Sequence, residues 1–182
     1  MEIEIPFSNI KKDFGLRPEE IKYRAILSRD SLFYGLFDPF DKIIYCNSIS
    51  VDDVSSSSSL RSIQHSFKHA FIVFNNPIFA FTKGSLNSID EIKSLLQFSN
   101  SISDIDRYRM GCRKNVLGEL DVCYAVPKRI TKAISGHFKS IDMDHYQSVF
   151  LQTIDRSWSP SFAVVSLLSG NMNMALFENG KL

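Results

Sequence analysis

A chain of 182 residues with 44% hydrophobic content holds enough apolar mass for one sizeable core, or for one complete lobe and part of another. Fifteen phenylalanines argue against wholesale disorder, and a formal net charge of +1 gives no long-range pull toward nucleic acid or an anionic membrane. Apolar runs such as 70–74 and 162–165 fall far short of the roughly 20 residues that a membrane-spanning helix needs.

The opening MEIEIPFSNIKKD places acids ahead of lysines and has no apolar core, unlike a secretory signal. Residues 1–20 read as an N-terminal arm. Strand signals follow at 21–28, 32–38 and 42–48, separated by the turn residues Arg29-Asp30-Ser31 and Pro39-Phe40-Asp41, which predicts an antiparallel meander. After a serine-rich run at 52–59, Leu60, Ile63, Phe67 and Ala70 recur at helical spacing. Strands are predicted at 70–74 and 78–82, across the turn Asn75-Asn76-Pro77. Ser88 and Glu91 have capping-box spacing at the head of a helix reaching about Phe98. Residues 99–118 read as polar and irregular, 120–126 as a strong strand, and Pro127 as the first turn of a helix to Phe138. A short strand at 141–145 and a helix at 146–155 complete the series before Pro160.

The start and the end of the chain resemble one another. Residues 23–38 (YRAILSRDSLFYGLFD) and 163–178 (AVVSLLSGNMNMALFE) each read as a strand, a short polar turn and a second strand. Gly35-Leu36-Phe37-Asp38 falls on Ala175-Leu176-Phe177-Glu178, and Ser31 on Asn171. Together these signals predict an α/β fold with a mixed central sheet. The meander lies at one side, and the strands near Ala70 and Val122 at the other.

That order, with its repeated opening hairpin, is similar to the actin-like ATPase (ASKHA, ribonuclease H-like) fold. More narrowly, the chain resembles an uncharacterised Bacteroidetes family of that fold. The likeness is carried by Leu27 to Phe37, Ile78 to Thr82, Val122 to Phe138, His145 and Val164 to Leu182. It implies a first actin-like lobe over 21–158 and, over 159–182, the opening hairpin of an incomplete second lobe. Family members usually continue beyond the closing hairpin, so the expectation is a product cut short or a naturally abbreviated member.

The resemblance also implies where a nucleotide would sit. Actin-like enzymes hold ATP between two hairpin turns whose backbone N–H groups cradle the phosphates, with an Asp near the first turn positioning magnesium or water. Here Asp30, Ser31, Ser169, Gly170 and Asn171 would line such a cleft. The first turn has no glycine, the second has one glycine and no carboxylate, and these residue types also suit ordinary hairpin turns.

Other constellations are weaker. His65 and His69 stand four apart on the predicted helix but lack a third ligand. Asp142 and Asp144 would share one face of a strand beside His145, which suits a divalent ion or a plain polar strand end. Arg107, Arg109, Arg113 and Lys114, with Lys128, Arg129 and Lys132, form a basic set suited to phosphate or RNA. Asp104, Asp106, Glu119 and Asp121 interleave with it. Cys46, Cys112 and Cys123 are odd in number and lack metal spacing, as expected of reduced, buried thiols in a cytoplasmic protein.

The expectation is therefore a non-catalytic interaction or scaffold protein that docks a protein partner or a second copy through the edge of its C-terminal hairpin. No membrane partner, no metal and no resident cofactor are expected. An ATP- and magnesium-binding switch is the alternative, and a nucleic-acid-associated ribonuclease H-like protein a second one.

Overall fold

The computed structural model describes residues 16–17, 20–54, 69–84, 86–136, 138, 140–154, 161–168 and 171–178. Strands β1 (Lys22–Leu27), β2 (Ser31–Phe37) and β3 (Ile43–Ser50) form the antiparallel meander. Strict alternation drives it: Tyr23, Ala25 and Leu27 on β1 and Leu32, Tyr34 and Leu36 on β2 are buried on one face. The second turn is built by Asp38, whose carboxylate accepts the N–H groups of Phe40 and Lys42, both at 2.9 Å. Asp41 takes the left-handed conformation there, at φ 64°.

β4 (His69–Phe74) runs parallel to β1, and β8 (Ser140–His145) parallel to β4. The result is a five-stranded mixed sheet in the order β3-β2-β1-β4-β8. Helix α2 (Lys128–Ser135) covers one face of it, burying Ile134 with Phe138 against Tyr23, Leu36 and Ile72.

Three expectations about the sheets need correction. The strand around Val122 is not part of this sheet; β8 takes the outer place. β7 (Leu120–Pro127) instead lies between β5 (Phe79–Lys83) and β6 (Tyr108–Leu117) in a separate three-stranded antiparallel sheet. It is buried on both faces, with Tyr124 and Val126 in the main core and Cys123 and Ala125 against helix α1 (Ile89–Asn100). A run that is apolar on both sides fits the middle of either sheet, so its sequence does not choose between them. β5 likewise pairs with β7 rather than folding back on β4. The stretch read as polar and irregular contains β6, whose Arg109, Arg113 and Lys114 are exposed on an edge strand that tolerates charge.

The capping box at α1 forms as its spacing predicts. Ser88 Oγ accepts the Glu91 N–H at 3.2 Å, and the Glu91 carboxylate accepts the Ser88 N–H at 3.1 Å. The helix read from Leu60, Ile63 and Phe67 lies outside the described residues, as does His65. His69 opens β4, so the two histidines do not share a helix face. Cys46 is exposed rather than buried.

The chain ends its described course in β9 (Ser161–Leu168) and β10 (Asn171–Glu178), an antiparallel hairpin with the register of the first. Leu27↔Leu32 and Tyr23↔Leu36 of β1–β2 correspond to Leu167↔Met172 and Ala163↔Leu176 of β9–β10. Between the hairpins stands helix α3 (Tyr146–Gln152), whose Phe150 and Leu151 join Ala175, Phe177, Val116 and Val122 in a second core cluster. Among the described residues, no helix is long and apolar enough to cross a membrane.

Candidate functional site

The two hairpins meet through the loop after β4. Asn75 is buried, and its N–H donates to the Leu27 carbonyl at the end of β1, at 2.8 Å. Its side-chain amide donates to the Leu168 carbonyl at the end of β9, at 3.4 Å. One asparagine thereby holds the first strand of each hairpin at the point where its turn begins. Asn76 beside it ties in the remaining layers. Its amide donates to the Ala125 carbonyl at 2.9 Å and its Oδ1 accepts the Ile78 N–H at 3.1 Å.

His145 closes the same junction from the β8 side. Its Nε2 lies 3.0 Å from the Asn76 carbonyl, and its Nδ1 accepts the Gln147 N–H at 3.2 Å as the N-cap of α3. This pair of bonds fixes the neutral tautomer that carries its proton on Nε2. The ring is buried between Phe79 and Tyr124, with centroids 5.0 and 5.5 Å away. Burial lowers its pKa to about 4, against smaller upward pulls from the Asn76 carbonyl and the Asp144 carboxylate.

Asp144 is fully buried and paired. Its Oδ2 accepts from Arg113 Nε at 2.8 Å, and its Oδ1 accepts the His145 N–H at 2.7 Å. Both oxygens are thus committed to the fold. Among the described residues no group of three or more His, Cys, Asp and Glu is placed to hold a metal.

Toward the tip of the second hairpin the packing becomes polar. Tyr146 hydrogen-bonds Ser166, and the Gln147 amide donates to Asn173 Oδ1. Two buried groups, Ser28 Oγ on the first hairpin and Asn173 Nδ2 on the second, have no hydrogen-bond partner among the described residues. Both are neutral groups, a hydroxyl and an amide.

Of the residues singled out in the sequence, Asp30 and Ser31 do sit at the first turn. Asp30 is 86% exposed, with Arg29 as its ion partner at 3.8 Å. The turn is closed by the Ser28 N–H, which donates to the Ser31 carbonyl at 2.9 Å. None of its residues is left-handed, whereas a phosphate-cradling nest alternates right- and left-handed residues. Ser169 and Gly170 lie outside the described residues, and Asn171 opens β10 opposite Leu168. Asn75, Tyr146, Gln147, Ser166 and Asn173 were not legible as site residues. Asn75 carried only a turn signal, and the others stand at ordinary helix and strand positions.

The basic set disperses: Arg113 pairs with Asp144, Arg107 with Asp104 at 2.6 Å, and the nearby Lys93 with Asp106 at 2.8 Å. Cys112 and Cys123 face each other across β6 and β7 as free thiols, and burial raises the pKa of each, so neither is an activated nucleophile.

No protein-family model and no curated protein sequence matches the chain. Among solved structures, it is similar to a Bacteroides thetaiotaomicron protein with an actin-like ATPase fold and unknown function. The TM-score is 0.67 at 11% identity, over 98% of this chain and 70% of that one. It also aligns with the cytoplasmic domain of EpsL, an inner-membrane component of the type II secretion system of Vibrio cholerae. That match has TM-score 0.46 and 10% identity over 69% of this chain and 57% of that one. The mixed sheet, the hairpins of equal register and the first of these neighbours agree: the chain has the actin-like ATPase fold.

Proposed function

We propose that this is a non-catalytic interaction protein of the actin-like fold, which docks a protein partner or a second copy on its C-terminal hairpin. The observation that carries this reading is the outward face of β9–β10. Ala163, Val165, Leu167, Met172, Met174 and Leu176 form three cross-strand pairs there, and all are exposed, Leu167 by 77%. Their counterparts in the first hairpin are the buried Tyr23, Ala25, Leu27, Leu32, Tyr34 and Leu36. A face with the pattern of a core, uncovered among the described residues, is suited to a partner. The first turn, lacking a left-handed residue, supports the absence of ATP turnover. The sequence resemblance and the Bacteroides neighbour support placing the chain in the uncharacterised Bacteroidetes family.

Light scattering across a concentration series tests the reading, alongside binding of an apolar fluorescent dye. The expected result is a mass that rises with concentration, or a monomer that binds the dye; either effect falls with Leu167→Glu and Met174→Glu while melting temperature holds. A monomer that ignores the dye overturns it.

A nucleotide switch is favoured by one observation, the buried, unpartnered Ser28 Oγ on the first hairpin and Asn173 Nδ2 on the second. The interaction reading expects millimolar magnesium-ATP to leave the melting temperature unchanged. A rise with nucleotide concentration would establish the switch instead, because a ligand that binds only the native state must stabilise it.

A further inference from the structure

β6 and β7 carry two of the chain's three cysteines, and their register sets Cys112 directly opposite Cys123, between the pairs Gly111↔Tyr124 and Arg113↔Val122. Directly opposed residues of an antiparallel pair have Cα atoms about 4.5 or 5.5 Å apart. Both spacings fall inside the window of roughly 4.4–6.8 Å that a disulfide spans. The side chains have already met: the two Sγ atoms lie 2.8 Å apart, within about 0.8 Å of a bonded distance. The third cysteine, Cys46, stands exposed on β3 of the five-stranded sheet, leaving Cys112 as the thiol in contact with Cys123.

The two thiols differ in access. Cys123 is fully buried with Ala80, Leu96, Ile105 and Ala125 beneath α1, whereas Cys112 lies at the rim of that cluster and is half-buried. A reagent from solution therefore reaches Cys112 first. Burial raises the pKa of both thiols, which slows exchange at neutral pH. The equilibrium is set instead by how well the folded protein accepts the linked form.

We propose that Cys112 and Cys123 form a reversible redox modification site, closed to a cross-strand disulfide by a low-molecular-weight disulfide such as oxidised glutathione. In the first step the Cys112 sulfur, as thiolate, attacks one sulfur of the reagent and displaces a thiolate, leaving a mixed disulfide. The Cys123 sulfur then attacks the Cys112 sulfur, breaks the mixed bond and expels the second thiolate. The two protein thiol protons end on the two released thiols, so two protein thiols are oxidised and one small disulfide is reduced. The bond closes the chain over residues 112–123, across the irregular stretch between Arg113 and Leu117 where the ladder of β6 on β7 is interrupted. It fastens β6 immediately before Arg113, the residue that reaches Asp144. Neither sulfur lies on β9–β10, so this site and the docking surface stand or fail separately.

The test equilibrates the whole protein, native and in urea, with graded ratios of reduced to oxidised glutathione. Exchange is quenched with acid, free thiols are alkylated, and tryptic peptides are mapped. Trypsin cuts after Arg109, Arg113, Lys114 and Lys128, so the disulfide shows as residues 110–113 joined to residues 115–128. The native protein is expected to yield this pair at a linked-to-unlinked ratio about tenfold or more above that of the urea-unfolded chain. By the same thermodynamic cycle the oxidised protein melts several degrees above the reduced one, and dithiothreitol reverses both changes. Cys46→Ser should give the same linked pair, since that thiol takes no part. Glutathione retained on Cys112 with Cys123 free overturns the proposal, as does a linked form that melts below the reduced protein. So does linkage no greater in the native than in the unfolded chain, which would leave the two thiols as packed apolar side chains.

Discussion

The side chain on which most of the molecule converges is His145. It caps α3, meets the Asn76 carbonyl and is held between Phe79 and Tyr124, all in its neutral form. Its folded pKa of about 4 lies below the ordinary 6.5, so between these values the unfolded chain binds the extra proton. Stability contributed by the neutral ring is therefore complete above about pH 6.5 and is lost as pH falls toward 4, by on the order of 3 kcal/mol. Urea midpoints at pH 7, 5.5 and 4.5 should fall in that order, and in His145→Gln the slope should flatten. The sequence marked His145 as one residue of the family likeness, beside two aspartates that suit a divalent ion or a polar strand end. Its neutrality and its cap depend on an aromatic pocket assembled from β5 and β7.

Individual elements were legible where local chemistry is sufficient. The Ser88 and Glu91 cap forms because both partners lie within one helical turn, and the meander forms because alternation on three adjacent strands needs no distant information. β6 was not legible, because its charged residues resemble a loop until β7 supplies the ladder. Arg113 on β6 illustrates the dependence, since it neutralises the buried Asp144 of β8 across two sheets. Removing it in Arg113→Ala leaves a carboxylate that burial penalises, and a loss of about 2 kcal/mol is expected. Arg113→Lys should recover part of this loss in the same denaturation measurement. A variant as stable as the parent would mean that solvent reaches Asp144 once the arginine is gone.

Across the whole molecule, the Asn75-Asn76 loop joins both sheets, α3 and the second hairpin. Asn75→Ala keeps the bond from its backbone to Leu27 and loses the one to Leu168, so it should loosen β9–β10 selectively. Hydrogen exchange is expected to quicken at β9 and β10 amides while β1 and β2 keep their protection. Uniform protection would place the anchoring in the Phe150, Leu151 and Phe177 cluster alone. The repeated hairpin gives the molecule two opposite asymmetries. Among the described residues, the inner face of the second copy is covered and its outer face open, whereas the first copy buries its core face and leaves the other as a groove.

The sequence by itself determined the meander and the capped helix, because each is written in residues close together along the chain, and the hairpin pattern repeated at its two ends carried the resemblance to the actin-like class. It also placed Asp30 and Ser31 at a turn, without their surroundings. Tertiary structure alone decided which sheet β7 enters, that β8 closes the main sheet, and that Asn75 spans the two hairpin ends. It also decided which face of each hairpin is covered. Those outcomes turn on which partner buries a given apolar face. Alternation along a strand states that a face will be buried but does not say what will bury it.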